Sequence, residues 1–128
     1  MKLQFRHQKF QAEAAKAVVD VFAGQPYMTP SYRMDRGEME QQVLFEEEKD
    51  ICWGNQRIVS KLQDAVILER IRNIQREHQI PLSEKLEGTY NLTIEMETGV
   101  GKTYTYIKTM YELNKHYGWS KFIVIVPN

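Results

Sequence analysis

The sequence predicts an α/β fold, a partial parallel sheet with flanking helices, and three observations carry that expectation. The first is the stretch Ile94-Glu95-Met96-Glu97-Thr98-Gly99-Val100-Gly101-Lys102-Thr103, where Leu92, Ile94 and Met96 alternate as in a strand, two glycines make a turn and an amphipathic pattern follows. The second is Phe122-Ile123-Val124-Ile125-Val126, an unbroken apolar run of the kind found in strands buried on both faces. The third is their order: strand, helix, strand reads as a βαβ unit, right-handed by default, over residues 88–128. In this reading the sheet is cut short after its second strand.

Taken from the N-terminus, the elements follow from period and punctuation. Phe10, Ala14, Ala17, Val18, Val21 and Phe22 fall on one face of a helix over about residues 8–22, stopped by Gly24 and Pro26. Residues 27–54 lose clear periodicity. Pro30, Gly37 and their polar neighbours read as a loop, with a short helix expected over 38–45. Asn55 is a plausible cap for a long amphipathic helix through Ile58, Val59, Leu62, Val66, Ile67, Ile71 and Ile74, ended by Pro81. A helical insertion is therefore expected at about 27–87. Its charged residues, Lys61, Asp64, Glu69, Arg70, Arg72, Arg76 and Glu77, read as a solvated face.

Gly88 opens the strand that leads into the glycine turn. The helix after that turn carries Tyr106, Ile107, Met110, Leu113, Asn114 and Tyr117 on the side expected to pack on the sheet. Gly118 is placed to end it, with Lys115 and His116 in its last turn.

The turn itself suggests chemistry. Gly99 and Gly101 let the backbone take positive φ, so that successive N–H groups can point into one concavity and meet an anion. Lys102 adds a charge for the β- and γ-phosphates of a nucleotide, and Thr103 a hydroxyl for Mg²⁺. Met96 stands where the strict phosphate-loop pattern has its first glycine. An ordinary turn that happens to carry a lysine is the plainer alternative, and the strand–turn–helix setting favours the phosphate loop.

Composition sets limits. A 128-residue chain with 42% hydrophobic residues fits one modest domain. Zero net charge lacks the basic footprint of an autonomous nucleic-acid binder, and the acids at Glu46, Glu47, Glu48 and Asp50 read as a solvated helix face or loop. No apolar run approaches the ~20 residues that span a bilayer. Cys52 is the only cysteine, so no internal disulfide forms, and a reducing cytoplasm fits. His7, His78 and His116 have no partners at metal-ligand spacing. Gln8 and Gln11 could read a purine edge through their carboxamides, although on composition alone they are solvated helix residues.

With these residues in view, the chain resembles a known family. The loop from Met96 to Thr103 is similar to the superfamily-two helicase form, which accommodates Met96. More narrowly, the loop and Tyr104, the run Glu112-Leu113-Asn114-Lys115-His116-Tyr117-Gly118 and the run Lys121-Phe122-Ile123-Val124-Ile125-Val126-Pro127 resemble the restriction subunit of type III restriction–modification enzymes. Lys2-Leu3-Gln4-Phe5, Phe10-Gln11-Ala12-Glu13-Ala14 and Val21-Phe22-Ala23-Gly24-Gln25-Pro26 resemble the start of that subunit.

The resemblance implies the N-terminal part of a RecA-like, ATP-driven motor on double-stranded DNA, joined to an endonuclease and acting with a methyltransferase (modification) subunit. By the match Gln11 would recognise adenine. Thr98, Gly99, Val100, Gly101, Lys102 and Thr103 would hold ATP, with Thr103 also on Mg²⁺, and Pro127 and Asn128 would begin a segment lying along DNA. No catalytic residue is assigned, because the metal-holding acid and the arginines that complete phosphoryl transfer are not among these residues. The chain is accordingly expected to be an N-terminal fragment that alone neither hydrolyses ATP nor forms a stable monomer. Another superfamily-two translocase, such as a type I restriction motor, and a non-catalytic nucleotide-binding or interaction module are the alternatives.

Overall fold

The computed structural model describes residues 8–29, 55–88 and 90–126. The expected loop and short helix within 27–54, the acidic cluster, Cys52 and the terminal Pro127 and Asn128 lie wholly or largely outside the described residues. Three helices are present in what is described: α1 Lys9–Val21, α2 Asp64–Glu77 and α3 Lys102–Tyr117. α1 packs against both of the others, more extensively against α3.

Alanine at four positions of α1 and a run without Gly or Pro favour that helix, and the exposed pairs Lys9–Glu13 and Lys16–Asp20 add i,i+4 support. Phe22 closes it, its N–H reaching Val19 O at 3.0 Å, and Gly24 turns the chain at φ +90°. The buried face is rotated from the expected one. Gln11, Ala15, Val19, Val21 and Phe22 are buried, whereas Phe10 keeps 43% of its surface. A helix touched on two sides buries a wider arc than a single apolar stripe describes.

The second helix is shorter than the pattern suggested. It starts at Asp64, not near Asn55, where the backbone of Gln56, Arg57 and Val59 is taken up sideways by the side chains of Trp119 and Gln25. Gln25, buried to 4% exposure, donates from Nε2 to Arg57 O at 3.0 Å and accepts the Val59 N–H at Oε1 at 2.9 Å. The Asn55 carboxamide caps no helix. Its Oδ1 accepts the N–H groups of Ser120 (2.8 Å) and Lys121 (3.0 Å), while its Nδ2 donates to Lys121 O at 2.7 Å. At the other end the helix stops at Glu77, before Pro81, and Gln79 takes φ +55°.

Two arginines expected to be solvated are structural. Arg70 Nη1 donates to the carbonyls of Val21, the last residue of α1, and Ala23, just past it. Arg72 donates to Ser83 O and Glu84 O, both at 2.9 Å. Each therefore ties α2 to a neighbouring turn.

The core lies between the C-terminal halves of α1 and α3 and the inner side of α2. Val19, Phe22, Leu62, Ile67, Leu113 and Tyr117 form its centre, with Ile67 wholly buried. Tyr117 donates its hydroxyl to Val19 O at 2.7 Å, and Trp119 meets the rings of Phe22 and Tyr117 at 5.3 Å each.

The parallel sheet, and with it the RecA-like α/β class and the βαβ unit, is absent among the described residues. The only β pairing there is an antiparallel bridge between Glu87 and Asn91, around the turn at Gly88. Residues 122–126 alternate in exposure, Ile123 and Ile125 being the most exposed, whereas 92–96 do not, and no ladder joins the two segments. They line an open cleft of about 470 Å³ over α3, its walls including Ile94, Met96, Thr105, Phe122 and Val124. Alternation specifies which side chains share a face; it does not supply the neighbour whose N–H and C=O groups make a strand. For the same reason the apolar side of α3 is only partly covered: Leu113 and Tyr117 are buried, while Tyr106 and Ile107 remain exposed without a sheet beneath them.

Candidate functional site

The glycine turn sits where α3 begins. Gly99 and Gly101 both take left-handed backbone, at φ +80° and φ +87°, a conformation that costs a side-chain-bearing residue free energy. Gly101 is the N-cap of α3 and offers no side chain to cap the helix. Its first turn contains no acidic residue, so the partial positive charge of a 16-residue helix is not neutralised there by a carboxylate of its own. Lys102 and Thr103, the first two helical residues, are exposed, as are Thr98 and Gly99. A Cβ added at Gly99 would meet nothing within 4 Å. The outer side of the turn is open.

Its inner side is held by two side chains. Gln11, 8% exposed on the first turn of α1, donates from Nε2 to Val100 O at 2.8 Å. Thr105, 3% exposed, bonds back to Gly101 O through both its N–H (3.0 Å) and its hydroxyl (3.2 Å). Thr109 repeats the pattern one turn on, its hydroxyl reaching Thr105 O at 2.8 Å. Two consecutive carbonyls of the turn are thus fixed from within. The Gln11 contact spans 89 residues of sequence and brings the start of α1 to the start of α3.

The structure therefore gathers Gln11, Thr98, Gly99, Val100, Gly101, Lys102 and Thr103 into one place, while Pro127 and Asn128 lie outside the described residues. Thr105 is the member that sequence reasoning passed over. The available signal was a threonine four residues after the second glycine, at the spacing for back-bonding to its carbonyl. Among the described residues no three His, Cys, Asp or Glu side chains come together to hold a metal ion, and no helix is long and apolar enough to cross a membrane.

The donor set suits an anion bound end-on to a helix: backbone N–H groups, one flexible ammonium, one hydroxyl, and no carboxylate in the first turn. The family model described as type III restriction enzyme, res subunit, matches residues 6–128. The chain belongs to that family. Within it, the chain is similar to the Res subunit of the type III restriction-modification enzyme EcoP15I of Escherichia coli, 44% identical over 69 residues, which are 52% of this chain and 7% of that protein. It is 43% identical over 61 residues to the EcoPI Res subunit of Escherichia phage P1, covering 44% of this chain and 6% of that subunit. The StyLTI Res subunit of Salmonella typhimurium is 46% identical over 46 residues, or 36% and 5% of the two chains. The matched segments span less than a tenth of each of these Res subunits. No solved structure matches.

Proposed function

We propose that this chain supplies the ATP-binding part of a cytoplasmic restriction subunit that moves along double-stranded DNA and cuts it together with a methyltransferase (modification) subunit. The observation that carries the reading is the turn of Gly99 and Gly101 running directly into the uncapped, acid-free N-terminus of α3, with Lys102 and Thr103 exposed at its mouth. Thr98, Gly99, Val100 and Gly101 contribute backbone to the phosphate cradle. Lys102 pairs with the outer phosphates as a charge on a flexible stem, and Thr103 offers its hydroxyl to Mg²⁺. Bound ATP–Mg²⁺ supplies the phosphoryl-transfer chemistry; the residues named here bind and orient it. Gln11 recognises the base. A carboxamide carries two N–H donors and an acceptor oxygen, so the contact with Val100 leaves it capacity for an adenine edge.

Titration of labelled ATP–Mg²⁺ against the wild-type chain and Lys102→Ala tests the assignment. A charge-assisted contact is worth ~1.5–3 kcal/mol, so the substitution is expected to weaken binding roughly ten- to a hundredfold. Equal affinity in the two proteins would overturn it.

A further inference from the structure

Gln11 holds the backbone of the turn itself, and this contact has a geometric consequence. A trans peptide is planar, with its C=O and N–H pointing in opposite directions. When Gln11 Nε2 draws Val100 O toward α1, the N–H of the same peptide unit, which belongs to Gly101, is turned away from α1. Such a plane is otherwise free to flip, because glycine tolerates the φ values on both sides of the rotation. Gly101 also makes the contact possible: a Cβ there would lie 2.6 Å from Gln11 Nε2. The same glycine thus meets two demands, a left-handed φ and the close approach of a buried carboxamide. Thr105 fixes the next carbonyl, so the Gly101 peptide groups are anchored on both sides.

We propose that Gln11 is a positioning residue for phosphate, independent of any base: by locking the Val100–Gly101 peptide plane it aims the Gly101 N–H at the anion. This rests on the phosphate-binding reading of the turn. It goes beyond adenine recognition, because it requires Gln11 to matter for a ligand that has no base.

The probe is inorganic tripolyphosphate with Mg²⁺, titrated against the full wild-type chain, Gln11→Ala and Gln11→Met, with ATP–Mg²⁺ in parallel. Methionine keeps the length and volume of the side chain without a donor, so it separates the hydrogen bond from packing at a buried position. Both variants are expected to weaken tripolyphosphate by roughly three- to tenfold, the range for one lost hydrogen bond. In amide exchange and ¹⁵N spectra of Gln11→Met without ligand, the Gly101 signal should move or broaden while residues of the core between Val19 and Tyr117 keep theirs. Tripolyphosphate affinity unchanged in Gln11→Met, with ATP weakened, would overturn the proposal and leave Gln11 as a reader of the base alone. Wild-type binding of neither ligand would overturn the phosphate site and this proposal with it.

Discussion

Tyr117 shows how one residue joins distant parts of this chain. Its hydroxyl donates to Val19 O, 98 residues away in sequence, and its ring meets that of Trp119 at a tilt, centroids 5.3 Å apart. Burial pushes its pKa above the usual tyrosine value, and the nearby Asp20 carboxylate adds to the rise. The folded state therefore holds the phenolic proton more tightly than the unfolded chain does. That stabilisation is fully present below about pH 10, the unfolded value, and is lost as pH climbs through the higher folded value. Thermal melts from pH 8 to pH 11 should show stability falling at the alkaline end. Tyr117→Phe should flatten that fall and cost roughly 0.5–1.5 kcal/mol at neutral pH, a modest figure because Val19 O keeps the Phe22 N–H. An identical alkaline slope in the variant would rule out Tyr117 as its source.

At the scale of elements, what was legible in the sequence divides by the kind of information each element needs. α1 and α3 were readable because period and punctuation are local. Gly24, Gly118 and the Gly99–Gly101 turn all take the left-handed backbone that their residue type suggests. The start of α2 was not readable, since it depends on Gln25 and Asn55 finding backbone partners 32 to 66 residues away. The sheet was misread for a related reason, because the alternation at 92–96 and the apolar run at 122–126 say nothing of a pairing partner. That segment has a consequence of its own. Ile123 and Ile125 are 91% and 89% exposed, beside backbone groups that no described strand pairs. An apolar run this exposed is a surface for association. Sedimentation should show the wild-type chain self-associating with rising concentration, and Ile123→Lys with Ile125→Lys should shift it toward monomer. A wild-type chain that stays monomeric across the range would contradict this.

For the molecule as a whole, the candidate site and the core sit at opposite ends of α3. Its C-terminal end is locked to α1 by Leu113, Tyr117 and Trp119, and its N-terminal end carries the glycine turn held by Gln11 and Thr105. α1 touches both ends, with Gln11 at one and Val19 and Phe22 at the other, so it fixes the turn relative to the core. Of the candidate site, the residue types and their spacing were visible in the sequence. The inner scaffold was not, because a hydrogen bond from Gln11 to Val100 exists only once two helices have packed. The assignment of phosphate binding to this turn is tested most directly by backbone amide spectra of the full chain during titration with ATP–Mg²⁺. The expected result is that the N–H signals of Gly99, Val100, Gly101, Lys102 and Thr103 shift most, saturably, and that Lys102→Ala suppresses the shifts. If those five amides stay in place while ATP–Mg²⁺ is added to excess, the turn does not bind phosphate.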